Sequence, residues 1–127
     1  MSHLLRCTPV LVVDRVEPSL AFFEQLGFQK TIDVPHGDSL GFAILESGGL
    51  QVMLQSAASV ADDLQSAPNT LGRHTALFIE VDNLELAHQR VAAAPIFLPR
   101  RKTFYGADEI GVVEPGGHHI TLAQFGA

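Results

Sequence analysis

The sequence predicts an α+β fold made of two tandem copies of one β-α-β-β-β unit. Three observations predict it. Val13-Asp14, Glu17, Glu46-Ser47-Gly48-Gly49, Val52 and Leu54 recur as Val81-Asp82, Glu85, Glu114-Pro115-Gly116-Gly117, Ile120 and Leu122, at a constant offset of 68 residues. Each half carries short β-branched runs around one helical stripe, in the same order. Turn-forming Gly and Pro residues fall at matching places in both halves. A unit of this size cannot bury its apolar face alone, so the two copies must share one fold. The 127 residues therefore read as a single domain, with unit one at about 5–56, a linker at about 57–73 and unit two at about 74–125.

Thr8 to Val13 is apolar and β-branched, which predicts a buried strand. Asp14 stands three residues before Glu17, a loose capping box, and Pro18 suits a first helical turn. Leu20, Phe23 and Leu26 give helical spacing, and Gly27 supplies the left-handed residue that ends the helix. Phe28 to Val34 predicts a second strand, His36-Gly37-Asp38 a turn, Leu40 to Leu45 a third strand and Leu50 to Gln55 a fourth. Ala57 to Ser66 predicts a short helix, and Ala67 to Gly72 the inter-unit linker. In the second copy Thr75 to Val81 predicts a strand, with Asp82 as the helix cap. Leu84, Ala87, Val91 and Ala94 form the helical stripe, which Pro95 ends. Ile96 to Leu98, extending toward Thr103, then Ala107 to Val113 and His118 to Gln124 predict the remaining strands. Pro115-Gly116 at the centre of the last turn suits type II geometry.

Bulk properties exclude several function classes. A hydrophobic content of 46% with 17% charged residues is globular composition. The net charge of -6, with no basic cluster beyond Arg100-Arg101-Lys102, argues against nucleic acid as a partner. A single Cys7 excludes an intramolecular disulfide and a thiolate-rich metal site. The run Pro9 to Val13 is too short for a signal-peptide core or a membrane span, so a cytoplasmic protein with no membrane partner is expected.

Pro9 to Asp14, Phe22-Phe23-Glu24-Gln25-Leu26-Gly27-Phe28 and Glu114-Pro115-Gly116-Gly117-His118, within two β-α-β-β-β units, resemble the vicinal oxygen chelate superfamily. That group includes glyoxalase I, bleomycin-resistance proteins and extradiol dioxygenases, and the resemblance covers essentially the whole chain. It implies a curved, cup-shaped mixed sheet with helices on the outside. It also implies that an enzyme of the group would hold a divalent metal through residues on the first and last strands of each unit. Alignment puts Thr8, Ala76, Met53 and Thr121 at those positions, none of them an imidazole or carboxylate donor. No metal and no cofactor is expected. A slipped register would offer His74, Gln55 and Glu80.

Strand parity assigns Thr8, Val10, Val12, Gln51, Met53 and Gln55 to the cup in unit one, and Ala76, Phe78, Glu80, His119, Thr121 and Ala123 in unit two. His118 must face the other way, so the His118-His119 pair cannot chelate one ion. No catalytic residue is assigned. Glu80 and His119 are the candidates for proton transfer, against readings as a solvated strand end and a polar cavity contact. The resemblance implies that Tyr105, with Phe104, walls a ligand pocket, although Phe104 reads equally as core. Arg100-Arg101-Lys102 reads as a solvated stretch able to attract an anion. The ligand-binding set is therefore Met53, Gln55, Phe78, Glu80, Tyr105, His119 and Thr121. The expected function is that of a metal-independent protein that sequesters a small organic ligand, nearest to the bleomycin-resistance branch, and the resemblance to that branch implies a homodimer. The alternatives are a metal-dependent glyoxalase-like lyase, isomerase or dioxygenase, or a metal-free enzyme using Glu80 or His119.

Overall fold

The computed structural model describes residue 3 and residues 5–63 and 74–126. Unit one runs β1 (Val10–Val13), α1 (Val16–Leu26), β2 (Gln29–His36), β3 (Ser39–Ser47) and β4 (Leu50–Ser56). A short helix α2 (Ala57–Asp63) follows; the expected linker from Ala67 to Gly72 lies outside the described residues. Unit two runs β5 (Ala76–Glu80), α3 (Leu84–Arg90), β6 (Ile96–Lys102), β7 (Ala107–Val113) and β8 (His119–Phe125). Each unit folds into one open four-stranded sheet, in the orders β1-β4-β3-β2 and β5-β8-β7-β6. In each, the first and last strands pair in parallel and the other pairs are antiparallel. The predicted architecture is the observed one.

Helix α1 forms because Val16, Leu20 and Phe23 repeat at helical spacing and all bury against the sheet. Its end is a Schellman motif. Gly27 takes φ 116° and donates its N–H to the Glu24 carbonyl, while the Phe28 N–H reaches back to the Phe23 carbonyl. The Phe23 and Phe28 rings then meet edge to face at 5.7 Å, the apolar contact that seals such an ending. The start differs from expectation: Arg15, not Asp14, is the flanking residue, and its own side chain makes no capping bond. Glu17 instead accepts the Leu40 N–H at 2.8 Å, fastening α1 to β3. In α3 the cap is Asn83, one residue past the predicted Asp82; its Oδ1 accepts the Leu86 N–H at 3.0 Å.

One core lies between the helices and the backs of both sheets. Leu11, Val13, Leu45, Val52 and Leu54 from unit one join Ile110, Val112, Ile120 and Leu122 from unit two, with Phe23 and Leu84 from the helices. These strand residues alternate with the cup-facing set as parity requires. The last turn of unit two fits tightly against unit one. A Cβ on Gly116 would collide with the Val13 side chain and stand 2.9 Å from Ser19 Oγ. Beside it, His118 is fully buried. Its Nδ1 accepts the Thr75 N–H at 2.8 Å, so the proton sits on Nε2, which donates to the Val12 carbonyl at 2.8 Å. One side chain thus ties β1 of unit one to the approach to β5.

The two copies differ at their final turns. In unit one Ser47 faces Leu50 across a two-residue turn, with Gly48 at φ 58°. In unit two the positive φ falls on Gly117, at 97°, and not on Gly116. The type II expectation is therefore corrected. Gly117 donates its N–H to the Glu114 carbonyl and Glu114 donates its own to the His118 carbonyl, a tight turn closed by a left-handed glycine. The longer turn shifts β7 by one residue. Met53 faces Ile44 and Thr121 faces Gly111, an offset of 68 on one strand but 67 on its neighbour.

Candidate functional site

The cup face of unit two is built from four strands in register. Glu80 on β5 faces Ala123 on β8, Ala123 faces Glu109 on β7, and Glu109 faces Arg101 on β6. One row further, Phe78 faces Thr121 and Thr121 faces Gly111. Gly111 is required there: a Cβ would stand 2.5 Å from the Phe97 ring, which lies over this position. The Phe97 ring also meets the His119 ring edge to face at 4.5 Å. At the other end, Phe125 is 6.2 Å from Phe78 and 6.2 Å from Tyr105. Phe78, Phe97, Tyr105 and Phe125 remain 53%, 41%, 44% and 41% exposed, so the aromatic wall is open. An apolar face of this kind is the usual material of a ligand site or an interface.

Glu109 is the centre of the polar chemistry. Only 1% of it is exposed, and a carboxylate buried this far must be paired to be tolerated. Its Oε1 accepts Arg101 Nε at 2.9 Å and stands 2.9 Å from Arg101 Nη2. Its Oε2 accepts the Tyr105 hydroxyl at 2.8 Å. This hydrogen bond, together with desolvation and the charge of Glu109, holds the Tyr105 hydroxyl above the ordinary tyrosine pKa. Arg100, next in the chain, points to the other face and binds Asp108 and Glu85. The bond from Arg100 holds the Asp108 carboxyl below its usual range. The basic stretch is therefore not uniformly solvated, because alternation sends its two arginines to different carboxylates.

The predicted site residues fall on two separate sheets. Met53 and Gln55 lie on β4 of unit one, where Gln55 Nε2 donates to Ser59 Oγ at 3.2 Å. Phe78, Glu80, His119 and Thr121 lie on the unit-two sheet and Tyr105 on the turn between β6 and β7. Glu80 faces Ala123 whereas His119 faces Ala76, four residues apart along the strands, about 13 Å. The two are not a proton-transfer pair. Phe104 is fully exposed, which overturns its reading as core. Glu109, Phe97 and Phe125 were missed. The adjacent carboxylates Asp108 and Glu109 in the strand Ala107 to Val113, of which alternation sends one to each face, were the available signal for Glu109.

A family model matches residues 2–122, that of the Glyoxalase/Bleomycin resistance protein/Dioxygenase superfamily. The chain belongs to this superfamily. Its fold is similar to the crystal structure of a glyoxalase/bleomycin resistance protein/dioxygenase from Nocardioides, with TM-score 0.74 and 20% identity over 98% of this chain and 85% of that one. It is also similar to lactoylglutathione lyase from Agrobacterium tumefaciens, with TM-score 0.74 and 13% identity over 97% of this chain and 95% of that one. A bleomycin-binding protein complexed with bleomycin matches with TM-score 0.63 and 20% identity over 97% of this chain and all of the other. No curated protein sequence matches the chain.

Superfamily enzymes place metal ligands on the paired first and last strands, and the observed register tests this chain's fit. Val10 faces Met53 and Phe78 faces Thr121, a row without a carboxylate or imidazole. In the neighbouring row Thr8 Oγ1 donates to Gln51 Oε1 at 2.7 Å, and Ala76 faces His119. Among the described residues no three His, Cys, Asp or Glu side chains converge, and His74, the slipped-register candidate, bonds the Gly117 carbonyl instead. These residues do not fit a divalent metal. A cavity of about 430 Å³ lies where Phe78 and Glu80 meet Pro9, Leu50 and Gln51 of unit one. A larger one of about 680 Å³ opens on the helix side, between α1, the end of α3 and the turn at Glu114 to Gly117. Among the described residues no helix is long and apolar enough to cross a membrane.

Proposed function

We propose that this protein binds a small organic ligand on the aromatic cup of unit two, without metal chemistry and without converting it, in the manner of the bleomycin-resistance branch of its superfamily. The observation that carries the reading is the open wall of Phe78, Phe97, Tyr105 and Phe125 around the Arg101–Glu109–Tyr105 cluster. Flat rings suit a ligand with aromatic or conjugated surface. The contributing residues are Phe78, Glu80, Tyr105, His119 and Thr121 from one chain. Met53 and Gln55, on the other sheet, join the same ligand when a second copy lays its unit-one cup over this one. The half-exposed apolar residues Val10, Ile32 and Val34 of unit one support such a homodimer. The acidic balance and the single free Cys7 suit the cytoplasm.

The metal-dependent alternative, a lyase, isomerase or dioxygenase, is tested by elemental mass spectrometry of freshly purified protein and by melting temperature on adding nickel, zinc or manganese. Less than a tenth of an equivalent and no shift are expected, about what an unbuilt site gives. One equivalent per chain with a raised melting temperature overturns the reading.

A further inference from the structure

The cup holds one ion pair whose members differ sharply in accessibility. The Glu109 side chain is 2% exposed and that of Arg101 is 55% exposed. Both oxygens of Glu109 are occupied, one by Arg101 and the other by Tyr105, so Glu109 offers a ligand nothing directly. Arg101 spends Nε and Nη2 on Glu109 and keeps Nη1 without a bond among the described residues. The guanidinium is thereby fixed before any ligand arrives, and a fixed donor loses less freedom on binding than a free one.

We propose that Arg101, positioned by buried Glu109, anchors an anionic group, a carboxylate or phosphate, on an aromatic ligand whose rings lie against Tyr105, Phe125 and Phe78. The inference rests on the reading of this cup as a small-molecule site and names the ligand class it takes. The Arg101–Glu109 pair is formally neutral, so recognition comes from a directed N–H rather than from net potential. Glu80 does not oppose it. The two side chains start three strand spacings apart, about 14 Å, which exceeds the Debye length of about 8 Å at physiological salt. Arg100 cannot substitute, because Asp108 and Glu85 hold it on the other face. Glu109 acts through Arg101 and is a positioning residue.

The test uses two probes with the same ring, naphthoate and naphthylmethylammonium, titrated into the full chain and followed by nitrogen-edited NMR. Naphthoate is expected to shift the Arg101 Nε–H signal and the Phe78, Tyr105 and Phe125 amides. It should bind about tenfold tighter than the amine, the gain from one charge-assisted hydrogen bond. Arg101→Gln should abolish that preference, naphthoate then binding no tighter than the amine. Glu109→Gln should reduce the preference; because Arg101→Gln alone leaves the buried Glu109 carboxylate without its charged partner, the double variant Arg101→Gln with Glu109→Gln carries the test where either single variant does not fold. Equal or tighter binding of the amine by the unaltered protein overturns the anchor, as does a preference for naphthoate that survives Arg101→Gln. In both cases the cup remains a small-molecule site. If neither probe shifts any cup residue, the small-molecule reading falls and the anchor falls with it.

Discussion

Tyr105 gives the cup its own reporter, because the chain has one Tyr and no Trp. Its hydroxyl is held above the ordinary tyrosine pKa chiefly by the bond to Glu109. A raised pKa favours the protonated form in the folded state. The associated stability is present below the unfolded tyrosine pKa and is lost as pH rises through the folded value. Absorbance titration should therefore show a single phenol ionising late, and Glu109→Gln should bring it back toward the ordinary value; an unmoved titration would disprove the bond. His118 makes a second residue-level prediction. His118→Ala strands the Val12 carbonyl and the Thr75 N–H and opens a cavity at the junction of the units. A loss of about 3 kcal/mol in urea unfolding is expected. His118 was legible as facing away from the cup, since parity is a local property. That it bridges the two units was not, because its partners lie 106 and 43 residues away.

At the scale of elements, turn and cap chemistry decided most boundaries. Gly27 has open space around its missing Cβ but φ 116°, so Gly27→Ala costs backbone strain alone, about 1 kcal/mol. Asn83→Ala removes the cap on Leu86 and should cost a similar amount, about 1 kcal/mol. Thermal unfolding of the two variants checks both. The strands were legible from β-branched runs, yet the repeat misled in one place. Its offset of 68 holds for β4 and β8, and the longer Glu114 to Gly117 turn makes it 67 for β3 and β7. On the sequence offset Glu109 matches Gly41, which is buried on the helix side; in the folded sheet it matches Phe42, which faces the cup. A one-residue slip exchanges the two faces of a strand, so the most telling carboxylate in the cup was hidden by a turn.

At the scale of the molecule, two open cup faces leave Val10, Ile32, Val34, Phe78, Phe97 and Phe125 each more than two-fifths exposed. Analytical ultracentrifugation should find two chains per particle. Ile32→Lys with Val34→Lys should give a folded single chain that binds ligand more weakly, since the unit-one wall is then withdrawn. A monomeric unaltered protein with full binding would show that one cup suffices. The sequence by itself determined the duplicated β-α-β-β-β order and which residues of β1, β4, β5 and β8 face the core. Both follow from periodicity and turn residues, which are local. Only the tertiary structure decided that Glu109 pins Arg101 and Tyr105, that Gly111 makes room for Phe97, and that Met53 and Gln55 lie on a different sheet from the rest. Those facts depend on strand register and on how two separately folded sheets share one core, which are set by contacts between residues far apart in the chain.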